Sequence, residues 1–251
     1  MFVQKIKLTI AYDGTDFHGF QAQTRRDATI RTVQSVLEES LERVTGHPVP
    51  VTGAGRTDAG VHAKAQVVTF ESAGAVPVER WPRVLNHRLP RDVVVISARS
   101  VPPSFHPRYD AVAKVYRYTI DTAPVPDIFT RRFCTHFTEA LDVERMQQAA
   151  RYLIGKHDFT SFSAARAQVS NRIRTLRKVD VWTDGTYVHF LYEGNGFLQH
   201  MVRILTGTLV EVGITERQPD DIPHILKAKD RREAGRTMPP EGLTLWKVKY
   251  S

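Results

Sequence analysis

The chain has 251 residues, 41% of them hydrophobic, enough for one large domain or two smaller ones with real cores. Its formal charge of +8 and pI near 9.7 fit a polyanionic partner, because neutralised phosphates release condensed counterions. Cys134 is the single cysteine, which excludes an intrachain disulfide and a multi-cysteine zinc site, and no run approaches the roughly 18 apolar residues of a membrane span.

The start of the chain lacks the apolar centre and small-residue cleavage site of a signal peptide, so a cytoplasmic location is expected. Residues 3–12 alternate, with Ile6, Leu8 and Ile10 on one face and Lys5, Lys7 and Thr9 on the other, and read as a half-buried strand before the Asp13-Gly14 turn. Over 29–44 the apolar residues Ile30, Val33, Val36, Leu37, Leu41 and Val44 keep helical spacing, with Gly46 as the stop. A strand is expected over 64–71, a short helix over 77–89 and a buried strand over 93–98. Val101-Pro102-Pro103 is the natural seam, giving domains 1–103 and 104–251.

The second half opens with a strand over 112–121, followed by a helix over 142–154 with Met146, Ala149, Ala150 and Leu153 inward and Gly155 as its stop. Strands over 176–183 and 187–192 follow, joined through Asp184-Gly185, a hairpin signal. A long helix over 197–212 is expected to stop at Gly213, before a shorter one over 222–229 and a final strand over 243–250. Hairpin and helical connections together argue for an α+β fold with mostly antiparallel sheets flanked by helices.

The ten histidines show no metal-ligand spacing, so no metal is expected. Cys134 reads as a small core hydrophobe. The basic residues fall in small groups, Arg25-Arg26, Arg131-Arg132, 172–178 and 227–232, a pattern that suits a folded surface reading shape.

The stretch Gly55-Arg56-Thr57-Asp58-Ala59-Gly60-Val61-His62-Ala63 places one carboxylate between glycines in an Arg-flanked loop. Glycines permit backbone angles closed to other residues and close approach of another chain, so Asp58 can face a ligand. Asp and Gly are also ordinary turn formers, and Arg56 with Asp58 would make an unremarkable surface ion pair.

The whole stretch resembles the signature of the TruA family of tRNA pseudouridine synthases. Further segments correspond in order: residues 12–21 from Tyr12-Asp13-Gly14, then Phe105-His106-Pro107-Arg108 with Lys114-Val115-Tyr116-Arg117-Tyr118, then Gly155-Lys156-His157-Asp158-Phe159, and 196–203 ending in Arg203. Phe20 stands where many members carry Trp, and Ala63 and Lys64 vary the end of the signature.

The resemblance implies two ferredoxin-like halves with adjoining sheets and an active cleft between them. It also implies a homodimer that binds tRNA and converts uridine to pseudouridine at positions 38, 39 and 40 of the anticodon stem-loop. The reaction breaks the bond from uracil N1 to ribose C1′, turns the retained base and joins C5 to C1′. It is redox-neutral, and neither a dinucleotide motif nor a Walker loop is present, so no cofactor is expected.

Asp58 is the catalytic carboxylate by this resemblance; attack at C1′, attack at C6 and a glycal-type path all remain open to it. Arg56 either keeps Asp58 ionised or contacts a phosphate beside the flipped nucleotide. Tyr116 matches the family's active-site tyrosine, where its ring can stack on the extruded base; otherwise it is a strand Tyr in the core. Arg203 lies among apolar neighbours and needs a carboxylate such as Asp58, or a phosphate, unless its stem snorkels. Phe197, His200 and Lys114 read as packing or cleft-lining residues. A non-catalytic RNA-binding protein is the competing class, and an acid hydrolase pairing Asp58 with Asp13 or Asp16 lacks a partner motif.

Overall fold

A computed structural model describes residues 3–25, 28–74, 76–164 and 169–251. The first two residues of the chain and Arg26 of the Arg25-Arg26 group therefore lie outside the described residues. In chain order the elements begin with β1 (Gln4–Tyr12), β2 (Thr24–Arg25), β3 (Ala28–Thr29), α1 (Val33–Thr45), β4 (Thr52–Gly53), β5 (His62–Ser72), α2 (Trp81–Asn86) and β6 (Val93–Val101). They continue with β7 (Ala111–Asp121), β8 (Thr135–His136), α3 (Val143–Arg151), β9 (Gly155–Asp158), β10 (Ile173–Asp184), β11 (Tyr187–Gly194), α4 (Met201–Gly213), α5 (Asp221–Ala228) and β12 (Leu243–Tyr250). The class is α+β. Among the described residues no helix is long and apolar enough to cross a membrane, and no cluster of three or more His, Cys, Asp or Glu could hold a metal.

The chain divides into two compact units, one formed by the described residues up to Val112 together with Leu245–Ser251, the other by Ala113–Thr244. In the first unit β1 is the central strand, antiparallel to β5 with Leu8 opposite Val68 and to β6 with Leu8 opposite Ala98. β4 pairs with β5, and β12 lies beside β5. The inward set Ile6, Leu8 and Ile10 is buried as the alternation requires. Val33, Leu37 and Leu41 of α1 and Trp81 and Leu85 of α2 are buried with them, Trp81 meeting Phe70 edge-on at 4.9 Å between centroids.

Helix α1 starts at Val33, later than the apolar spacing suggested. Thr32 and Ser35 form a reciprocal capping box that satisfies the first free backbone donors, leaving Ile30 outside the helix. Gly46 takes the left-handed cap conformation as expected.

In the second unit the antiparallel order is β7-β11-β10-β9, with β8 parallel to the end of β7. Asp142 caps α3, with its side chain accepting from Arg145 N–H, but Gly155 does not end that helix. The helix ends at Arg151, and Gly155, at φ +114, opens β9. Helix α4 begins at Met201 because His200 adopts a left-handed conformation and Met201 N–H closes a turn onto Leu198 O. Gly213 is the last residue of α4 and buried; a Cβ there would lie 2.9 Å from Met146 Sδ, so it serves the close packing of α3 on α4 rather than a stop. Cys134 is buried as expected, its thiol donating to Thr130 O at 3.3 Å, and burial pushes its pKa up.

His189, on β11 opposite Thr119, has its Nδ1 3.1 Å from the Thr119 hydroxyl. Burial, with the Arg117 charge added, lowers its pKa below 6.5. The unfolded chain therefore takes up this proton more readily than the folded one, and stability falls as the pH drops below 6.5. In urea titrations across that range, His189→Gln is expected to show a shallower acid-side loss than the wild type.

Candidate active site

Tyr12 ends β1 in the inward register of Ile6, Leu8 and Ile10 and is 4% exposed. Its hydroxyl lies 2.8 Å from Thr57 Oγ1, and burial pushes the phenol up to about 12, so it stays protonated at neutral pH. The chain then turns. Asp13 Oδ1 accepts from the Thr15 N–H at 3.0 Å and from its hydroxyl at 2.6 Å, and Gly14 N–H donates to His62 Nδ1 at 2.9 Å. Asp13 Oδ1 lies 3.3 Å from the same nitrogen.

The 55–61 loop is held from behind by this same segment. Thr57 O accepts from Phe20 N–H at 3.2 Å, and Gly60 N–H donates to Phe17 O at 3.2 Å. Gln66 Nε2, buried on β5, donates to Gly55 O at 2.9 Å. Val61 N–H donates to Asp58 O at 3.2 Å and closes a β-turn whose third residue, Gly60, sits at φ +76. Gly60 thus uses the freedom expected of it, whereas Gly55 takes no positive φ. The result is a sorting of three neighbours: Thr57 points inward at 7% exposure, Asp58 is half-buried, and Arg56 is exposed.

Tyr116 and Arg203 belong to the second unit. Tyr116, on β7, is 7% exposed and meets Phe197 edge-on at 4.9 Å between centroids. Arg203, on α4, is half-buried; its Nε donates to Met238 O at 2.6 Å, and Met238 N–H returns to Arg203 O at 3.2 Å. This clasp satisfies part of the guanidinium in an apolar setting. Lys114 is half-buried on β7, and His200 forms the left-handed N-cap of α4. Within single units the structure therefore brings Arg56 to Asp58's loop and Tyr116 to Phe197.

A protein-family model described as tRNA pseudouridine synthase matches residues 8–110 and 149–251. The chain belongs to this family. Its similarity to individual members is high and end to end. It is 48% identical over 248 residues to tRNA pseudouridine synthase A of Brevibacillus brevis, covering 99% of this chain and 100% of that one. It is 46% identical over 245 residues to the protein of the same name from Moorella thermoacetica, and 45% identical over 251 residues to that of Bacillus subtilis. Each of these alignments covers 98% of this chain and 99% of the relative.

The segments matched to the tRNA pseudouridine synthase family include Arg56, Asp58 and Arg203; Tyr116 falls between them. The sequence motifs contain Tyr12, Thr57 and His62 without assigning them a role, and with Gln66 they tie down the loop that carries Asp58. Their signal was faint: Tyr12 continues the inward register of Ile6, Leu8 and Ile10, and Gln66 is a polar residue between Ala65 and Val67.

Proposed function

We propose that this chain isomerises uridine to pseudouridine at positions 38, 39 and 40 of the tRNA anticodon stem-loop, with Asp58 as the catalytic carboxylate. Membership of the tRNA pseudouridine synthase family makes it an isomerase acting on tRNA. The observation that carries the assignment of Asp58 is its mounting: a half-buried carboxylate on a turn whose backbone is tied down on the inner side.

The reaction needs such a group. As the N1–C1′ bond breaks, the sugar carbon becomes electron-poor, and an anionic oxygen held nearby stabilises it or bonds to it. The uracil turns, C5 bonds to C1′, the proton on C5 leaves, and N1 takes up a proton, so the product is an isomer and no electron carrier is consumed. Arg56, exposed beside Asp58, contacts the phosphates flanking the flipped nucleotide. Tyr116 offers a ring to the extruded base, and Arg203 is the third substrate-binding side chain. The protein works in the cytoplasm as a homodimer of chains, each built of two ferredoxin-like halves, without a cofactor.

Tritium release from C5-labelled uridine in an unmodified tRNA transcript tests this reading. Release is expected with no cofactor added, and none from a transcript carrying cytidine at 38, 39 and 40. Tight tRNA binding without release would replace the synthase by a non-catalytic RNA-binding protein.

A further inference from the structure

The loop that presents Asp58 is fixed by a buried polar cluster. Thr57 is anchored through its hydroxyl and its carbonyl: the hydroxyl pairs with Tyr12 Oη at 2.8 Å, and the carbonyl accepts from Phe20 N–H. Gln66, fully buried, holds Gly55 O on the other side of Thr57 and reaches the Tyr12 hydroxyl as well. Adjacent α-carbons are ~3.8 Å apart, so a shift of Thr57 passes directly to Asp58. Because Thr57 is buried and Asp58 only half-buried, rotation of the one about the local backbone swings the carboxylate of the other.

We propose that Tyr12 and Thr57 are positioning residues for Asp58, the buried hydroxyl pair setting the direction in which its carboxylate points. The proposal rests on Asp58 being the catalytic group. A buried hydroxyl pair suits this task better than an apolar contact, because a hydrogen bond fixes direction as well as distance, whereas apolar packing leaves the loop free to slide. The contribution to catalysis is then large relative to the contribution to folding, since a misplacement of ~1 Å costs about 100-fold in rate.

The test uses Tyr12→Phe, Thr57→Val, the double variant, Thr57→Ser and Asp58→Asn, each assayed by tritium release from full-length tRNA, by tRNA binding and by thermal melting. Tyr12→Phe and Thr57→Val are expected to lower kcat by about 10- to 100-fold with KM and tRNA affinity unchanged, and Thr57→Ser to restore kcat. The double variant is expected to lose no more than the worse single one, since both remove one interaction. Losses that multiply in the double variant, or that vanish when temperature is lowered to match melting points, would overturn the proposal by showing general loosening. Full kcat in Tyr12→Phe and Thr57→Val beside a dead Asp58→Asn would overturn it too, leaving the catalytic assignment standing. An active Asp58→Asn would instead remove the catalytic assignment itself, and this proposal with it.

Discussion

Asp58→Asn is expected to abolish pseudouridine formation while tRNA remains bound. Asparagine keeps the shape of aspartate and shares its tolerance of turns, and the Val61 N–H to Asp58 O bond that closes the turn runs through the backbone. On the proposed assignment, what is lost is the anionic oxygen that the sugar carbon needs. Removal of a principal reacting group lowers turnover by roughly 10⁴-fold or more in well-studied enzymes, and a drop of that order is expected in single-turnover tritium release. Filter binding of the same variant to tRNA should match wild type. Wild-type release would show that another group carries the chemistry.

The second large effect is expected at Gly14. A Cβ added there would lie 2.1 Å from Val61 O and 2.5 Å from Val61 C, both backbone atoms with no soft side chain to yield. Gly14→Ala must therefore push apart the turn after β1 and the loop after Asp58, weakening the bonds from Gly14 N–H to His62 and from Gly60 N–H to Phe17 O. Overpacking of this kind costs about 1–3 kcal/mol, and a chain of this size loses roughly 2–4 °C in Tm per kcal/mol. Because the displaced loop carries Asp58, turnover is expected to fall by about 100-fold as well. A variant with wild-type Tm and kcat would refute the close approach.

Much of the fold was legible because strand alternation is a local signal. The strand expected over 243–250 matches β12, and that over 3–12 departs from β1 by one residue. Helix ends were less legible, since apolar spacing marks the buried stripe while side-chain caps and left-handed residues decide where the helix begins. Thr32 with Ser35 delays α1, and His200 delays α4. Gly155 and Gly213 show the limit of reading glycine as punctuation: one opens a strand, and the other makes room for Met146. At the site, Asp58 stood out because a carboxylate among glycines is visible within nine residues. Tyr12 did not, because its partner Thr57 is 45 positions away and nothing local records that pairing.

The placement of β12 beside β5 has a consequence for how the molecule is born. The second unit is one continuous stretch, Ala113–Thr244, whereas the first waits for Leu245–Ser251. On the ribosome, where domains fold as they emerge, the unit made first is thus the unit completed last. Until then the part of the β5 edge that β4 does not cover is open to intermolecular strand pairing, and the nascent chain carries its Asp58 loop on an unfinished sheet.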